Sequence, residues 1–122
     1  MSIAPMLSVR NAAKAVEFYK AAFGATKLFL LDDGGSVVAQ LAAGDFWVAD
    51  ESPAHLNFSP ETIGGGSARM IMTVPDPDDV FERAVQAGAK VVRPMTDQDY
   101  GWRIGRVVDP FRHHWEIGKP LG

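Results

Sequence analysis

Two stretches of this 122-residue chain follow the same plan: SVRNAAKAVEFYKAAFGA at residues 8–25 and TVPDPDDVFERAVQAGA at residues 73–89. Each predicts the end of a strand, a turn, an amphipathic helix and a stop at a glycine. Asn11 supplies a helix cap in the first stretch, and Asp76-Pro77 supplies a cap and a first-turn proline in the second. This repetition predicts that a site lies where two similar repeats face each other.

Short apolar segments on either side of these helices complete each repeat as strands. We predict strands at Ile3–Val9, Thr26–Leu31, Ser36–Ala42, Phe46–Asp50, Ala68–Val74, Lys90–Pro94, Trp102–Val108 and His114–Gly118, with a hairpin turn at Asp32–Gly35. The predicted fold class is α+β, with two βαβββ repeats and eight strands. The length favours one domain over residues 1–122: repeat one at about 1–50, a linker at about 51–66 and repeat two at about 67–122.

The composition excludes several classes of protein. Cysteine is absent, so disulfides, thiolate metal sites and cysteine nucleophiles are excluded. The net charge is −3 and no cluster of Lys and Arg forms a stripe, which argues against a nucleic-acid partner. No segment approaches the roughly 20 apolar residues that span a bilayer, and residues 1–5 show no secretory signal. We therefore expect no membrane association and a cytoplasmic location.

Two further stretches carry a family resemblance. They are AVEFY at residues 15–19 followed by FGA at 23–25, and YGWR at 100–103 leading to DPFRHHWEI at 109–117. Together with the βαβββ order they resemble the vicinal oxygen chelate superfamily, and within it the glyoxalase/bleomycin-resistance-like proteins. The resemblance implies that each repeat curls its sheet into half of a cup and that the chain forms a homodimer. It does not fix the activity.

Enzymes of this superfamily hold a divalent ion with four side chains. By resemblance, the four positions fall near Ala4, near Ala49 or Asp50, at Arg69 and at Glu116. Alanine has no donor atom, and arginine stays cationic and offers no lone pair. Glu116 is therefore the clear candidate ligand that remains, with Asp50 or Glu51 as a second if the register slips. We expect neither a family-type metal site nor another cofactor.

Strand alternation suggests what replaces the ion. If Glu116 points into the cup, His114 shares its face and His113 does not, so the two neighbouring histidines cannot bind one ion together. Arg69 lies at the other ligand position of the same repeat, and a guanidinium fork suits a carboxylate. We predict that Arg69 and Glu116 meet and replace the ion. The competing interpretations are a solvated Glu116 and an Arg69 that is only an exposed charge at the start of a strand.

Aromatic residues are the other candidates for a binding cavity. Those on the helices (Phe18, Tyr19, Phe23 and Phe81) are expected in the core. Trp47 and Trp102, together with Phe58 and Tyr100, lie on strand ends and in the linker, where aromatic walls serve small-molecule pockets. The predicted ligand-binding residues are Trp47, Arg69, Trp102, His114 and Glu116.

Arg112 departs from the family pattern, which has glycine at this tight turn. A left-handed backbone there costs a non-glycine residue about 1–2 kcal/mol. Either the turn differs locally or Arg112 has a role at the mouth of the cup.

Three functions remain open. The first is a homodimer that sequesters an aromatic or antibiotic-like small molecule without a metal. The second is a metal-dependent glyoxalase-type lyase or isomerase, or a dioxygenase, with Glu116 as one ligand. The third is a metal-free enzyme in which Glu116 or His114 is the catalytic base. Whether the chain is an enzyme is left open.

Overall fold

The computed structural model describes residues 1–33, 36–42 and 44–122. The chain divides into two compact units, Met1–Gly65 and Gly66–Gly122, and each is considered by itself. The predicted hairpin turn at Asp32–Gly35 falls partly outside the described residues. The prediction of one domain over residues 1–122 stays a prediction.

The first unit contains one mixed sheet. Its elements are β1 (Met6–Val9), α1 (Ala12–Phe23), β2 (Thr26–Asp33), β3 (Ser36–Ala42), β4 (Phe46–Asp50) and the short helix α2 (Pro60–Ile63). The strand order is β1-β4-β3-β2, with β1 parallel to β4 and the other pairs antiparallel. β1 begins at Met6 rather than at the predicted Ile3, because Pro5 has no N–H to donate and Met6 is the first residue paired with β4.

Helix α1 is fixed by the signals that its sequence carries. The Asn11 side chain accepts a hydrogen bond from the amide of Lys14 at 3.1 Å, and Gly24 ends the helix in the left-handed conformation. Tyr19 on its inner face is fully buried, and its ring meets that of Phe46 edge to face at 5.3 Å. The aromatic core prediction is confirmed except at Phe23, which is half-buried. No helix in the described part of the chain is long and apolar enough to cross a membrane.

The second unit repeats this order. Its elements are β5 (Arg69–Thr73), α3 (Pro77–Ala87), β6 (Lys90–Asp97), β7 (Trp102–Val108) and β8 (His114–Pro120), in the strand order β5-β8-β7-β6. β5 is again parallel to its neighbour, β8. The predicted α+β class is therefore confirmed.

Strand β6 runs three residues beyond its predicted end at Pro94. Proline cannot donate to a strand ladder, so the sequence indicated a stop. The strand instead absorbs the proline in a bulge, with register shifts between Val91 and Arg93 and between Arg93 and Thr96.

The segment predicted as a linker is more ordered than that prediction implied. It contains a single 3-10 turn at Pro53–His55 and then α2, whose first turn is capped by Ser59. The Glu51 carboxylate accepts hydrogen bonds from the Ser59 amide at 2.9 Å and from the Thr62 hydroxyl at 2.8 Å. These bonds, the amide bond above all, hold the pKa of Glu51 below its ordinary value.

Candidate functional site

Pairing registers show which positions of the two sheets correspond. Met6 on β1 lies opposite Trp47 on β4. Ile71 on β5, sixty-five positions after Met6, lies opposite Glu116 on β8. Trp47 and Glu116 therefore occupy equivalent positions in the two sheets. This corrects the expectation that the second ligand position falls near Ala49 or Asp50.

Neither Trp47 nor the alternatives Asp50 and Glu51 offers a free donor atom for a metal ion. Tryptophan has an N–H donor and no lone pair for a metal ion. Asp50, the alternative, has both carboxylate oxygens engaged within the first unit. One accepts from the Ala12 amide at the start of α1 and the other from the Val37 amide, both at 2.7 Å. Glu51, the other alternative, binds Ser59 and Thr62 as described above.

Arg69 and Glu116 meet, as strand alternation predicted. Arg69 Nε donates a hydrogen bond to Glu116 Oε1 at 2.6 Å. The Arg69 side chain is 51% exposed and that of Glu116 is 19% exposed, so Glu116 is not a freely solvated carboxylate. Ile71 and Thr73 share the exposed face of β5 with Arg69, while Met70 and Met72 are half-buried. That the pair takes the place of an ion stays a prediction.

His114 is paired with a second arginine. Its Nδ1 accepts a hydrogen bond from Arg106 Nε at 3.1 Å, so the lone pair of this nitrogen is occupied. Burial, and then the positive charge of Arg106, lower the pKa of His114 below its ordinary value. Both effects favour the neutral form of the ring. An occupied Nδ1 beside a cation argues against His114 as a catalytic base or a metal ligand through that atom.

These contacts test whether the second unit suits a divalent ion. Each candidate donor, Glu116 and His114, already binds a guanidinium group. In the parts of the chain that the structure describes, no three His, Asp or Glu side chains cluster in a way that would hold a metal. Two cations beside two donors oppose a further divalent cation. The residues present do not fit the metal centre of the family.

A cavity of about 480 Å³ lies on the face of the second sheet that is turned away from α3. It is lined by Arg69, Arg93, Pro94, Thr96, Gln98, Tyr100, Ile104, Gly105, Arg106 and Glu116. Strand alternation places Arg106 on this face, because a Cβ on the neighbouring Gly105 would meet Phe81 of α3. The volume suits a small-molecule ligand.

Only part of the predicted set meets at this cavity. Arg69 and Glu116 line it, and Tyr100 is 69% exposed on its wall. Trp102 instead lines a cleft of about 10 Å³ that shares Ile104 and Glu116 with the cavity and is too small for a ligand. His114 is not among the lining residues, and Trp47 belongs to the first unit.

Sequence reasoning missed two arginines of this cavity, Arg93 and Arg106. The sequence signal for Arg106 was its place between Gly105 and Val107 on β7, since strand alternation puts it on the face opposite to theirs. No comparable signal existed for Arg93, because its face depends on the bulge in β6.

The turn before β8 is organised by Asp109, which is 2% exposed. One carboxylate oxygen accepts from the amides of Phe111 and His113 at 2.9 and 3.0 Å, and the other accepts from Trp115 Nε1 at 2.9 Å. Arg112 within this turn has a φ of 74°. The turn therefore keeps the left-handed conformation although Arg112 replaces the glycine of the family pattern.

Known proteins share both the sequence pattern and the fold. A family model described as the Glyoxalase/Bleomycin resistance protein/Dioxygenase superfamily matches residues 3–117. The uncharacterized protein Mb0911c of Mycobacterium bovis is 39% identical over 127 residues, covering 98% of this chain and 84% of that protein. The crystal structure of TioX from Micromonospora sp. ML1 matches with a TM-score of 0.74 and 28% identity, covering 99% and 100% of the two chains. The X-ray structure of the Arabidopsis thaliana gene product AT5G48480 matches with a TM-score of 0.70 and 30% identity, covering 95% and 94%. This chain therefore belongs to the Glyoxalase/Bleomycin resistance protein/Dioxygenase superfamily.

Proposed function

We propose that this protein binds a small organic molecule at the cavity of the second unit and does so without a metal ion. The observation that carries the proposal is the 2.6 Å hydrogen bond between Arg69 and Glu116, which by family resemblance occupy the two ligand positions of that repeat. A guanidinium group at this distance neutralises the carboxylate that an ion would need. The cavity itself remains open to a ligand, with Tyr100 on its wall.

The proposal includes sequestration of an aromatic or antibiotic-like ligand by a homodimer in the cytoplasm. An exposed tyrosine ring beside polar groups supports a ligand with a planar part. The description of the family names bleomycin-resistance proteins, which supports an antibiotic-like ligand. Sedimentation equilibrium of the purified chain tests the homodimer.

Metal analysis separates this proposal from a metal-dependent lyase, isomerase or dioxygenase. We expect the purified protein to contain no stoichiometric Zn, Ni, Mn or Fe. We also expect added divalent ions to shift its melting temperature no more than they shift that of Glu116→Ala. A matched control is Glu82→Ala, since Glu82 is an exposed carboxylate on α3. Stoichiometric metal that is lost in Glu116→Ala and kept in Glu82→Ala would overturn the proposal.

A thermal-shift screen then tests ligand binding. A molecule that binds the folded state alone raises its stability by about 2.7 kcal/mol at one hundred times its Kd. Planar aromatic antibiotics and small 2-oxo compounds form the screening set. A binder should lose affinity in Tyr100→Ala and not in Tyr19→Phe, because Tyr19 is a core residue of the first unit. A binder unaffected by Tyr100→Ala would place the site elsewhere.

A further inference from the structure

We infer that the ligand of this cavity carries an anionic oxyacid group, a carboxylate or a phosphoryl group, which Arg93 and Arg106 bind together. The inference rests on the proposed function and adds the chemical class of the ligand. Neither arginine is a ligand position of the family's metal site. Both line the cavity.

The charge of the cavity is opposite to that of the chain. Its lining contains three guanidinium groups and one carboxylate, an excess of two positive charges. The whole chain carries a net charge of −3. A concave site lined by one sign of charge concentrates ligands of the other sign, and it does so most strongly at low salt.

Arg93 and Arg106 lie directly opposite each other on β6 and β7. Like charges in directly opposed cross-strand positions are destabilising. Among the side chains that the structure describes, neither arginine has a carboxylate within ion-pair distance. Arg106 donates through Nε to His114 Nδ1, and its two terminal nitrogens donate to no described residue. An anion placed between the two guanidinium groups would relieve this repulsion.

Neighbouring arginines show that the fold supplies carboxylates where an arginine has a structural role. Arg103, on the same strand as Arg106, binds both oxygens of Asp78 at 2.8 Å and Asp97 at 2.9 Å. Arg69 binds Glu116. Arg93 and Arg106 also line the cavity, but neither forms such an ion pair: Glu116 lies opposite Arg106 on β8 and is bound to Arg69 instead. A guanidinium fork matches carboxylate and phosphoryl oxygens in pairs.

Small aromatic probes that differ only in charge test the inference. Benzoate and phenyl phosphate are the anionic probes, benzamide is the neutral analogue and benzylamine is the cationic one. We expect the anions to raise the melting temperature and to bind more tightly than benzamide by about tenfold or more, with a preference that shrinks in high salt. Benzylamine should not bind. The ratio between benzoate and phenyl phosphate identifies which oxyacid group is preferred.

Variants assign the binding to the two arginines. Arg93→Gln and Arg106→Gln should each weaken anion binding about tenfold, the loss expected for one charged hydrogen bond. Arg83→Gln is the matched control, because it removes the same charge from an exposed position on α3. Without ligand, Arg93→Gln should melt at the same or a higher temperature than the natural chain, since it removes the opposed like charge. A folded variant with unchanged benzoate affinity would overturn the inference.

The remaining outcomes separate the inference from the proposed function. Equal binding of benzamide and benzoate would overturn the anionic group while leaving small-molecule binding intact. No binding of any anionic probe would also overturn it. Anion binding that requires stoichiometric metal, and that Glu116→Ala abolishes, would overturn both, because the ion would then be the counter-charge.

Discussion

Replacement of Asp109 by asparagine tests how the turn before β8 is held. The carboxylate accepts hydrogen bonds from two backbone amides and from Trp115 Nε1, and it is 2% exposed. An asparagine can keep one oxygen acceptor, so its NH₂ group must face either the indole N–H or the amides. A buried donor left without an acceptor costs about 1–3 kcal/mol, and the lost bond was to a charged acceptor. We expect Asp109→Asn to lower the free energy of unfolding by about 2–3 kcal/mol.

Urea and thermal unfolding followed by circular dichroism measure this cost. For 122 residues, about 1 kcal/mol corresponds to roughly 4 °C, so the melting temperature should fall by about 8–12 °C. A double-mutant cycle with Trp115→Phe isolates the indole bond and should give a coupling energy of about 1–2 kcal/mol. A cost below about 0.5 kcal/mol, or no coupling with Trp115→Phe, would refute the assignment of these bonds.

Three further perturbations probe the backbone, the packing and the acid behaviour. Arg112→Gly removes the strain of an arginine in the left-handed conformation, a gain of about 1–2 kcal/mol. Glycine also raises the entropy of the unfolded chain, which offsets part of this gain, so the free energy of unfolding in urea should rise by about 0.5–1 kcal/mol. No gain would mean that the Arg112 side chain stabilises the turn. Gly105→Ala places a Cβ 2.5 Å from Met95 Sδ and 2.7 Å from Phe81 Cε2, so it should lower the free energy of unfolding by about 1–3 kcal/mol. An unchanged melting temperature would show that the Met95 side chain moves aside freely. The folded-state pKa of Glu51 is lowered, so its stabilisation is present above the unfolded pKa and is lost as pH falls through the folded value. The free energy of unfolding, measured in urea between pH 6 and pH 3, should therefore fall less steeply with pH in Glu51→Gln than in the natural chain. Parallel plots of this free energy against pH would contradict the Glu51 contacts.

The fold was predictable because its signals are local. Asn11, Gly24 and the proline at the start of α3 act within one turn of their own helix, and the α+β order follows from them. The details that the sequence did not show depend on contacts that reach beyond a single helical turn. The sequence could not show that Glu51 reaches Ser59 and Thr62, and these contacts order the segment predicted as a linker.

Some residues of the candidate site were likewise predictable from the sequence and others were not. Arg69 and Glu116 were predicted from strand alternation and family position, and their ion pair is confirmed. Arg93 was missed because a bulge decides which face of β6 it occupies. Trp47 was proposed for its ring alone, and its equivalence to Glu116 emerged only from the pairing of β1 with β4.

The bulge at Pro94 also bears on how this edge of the sheet resists aggregation. β6 pairs with β7 on one side only, so its outer edge presents backbone groups to any passing strand. Pro94 has no N–H to offer, the register shifts interrupt the edge, and Lys90 and Arg93 add like charges. The corresponding outer strand β2 also has a register shift, between Lys27 and Phe29, but it has no proline and exposes Leu28 and Leu30. Aggregation of a partly unfolded chain should therefore begin at β2, and added charge there should improve solubility more than any change in β6.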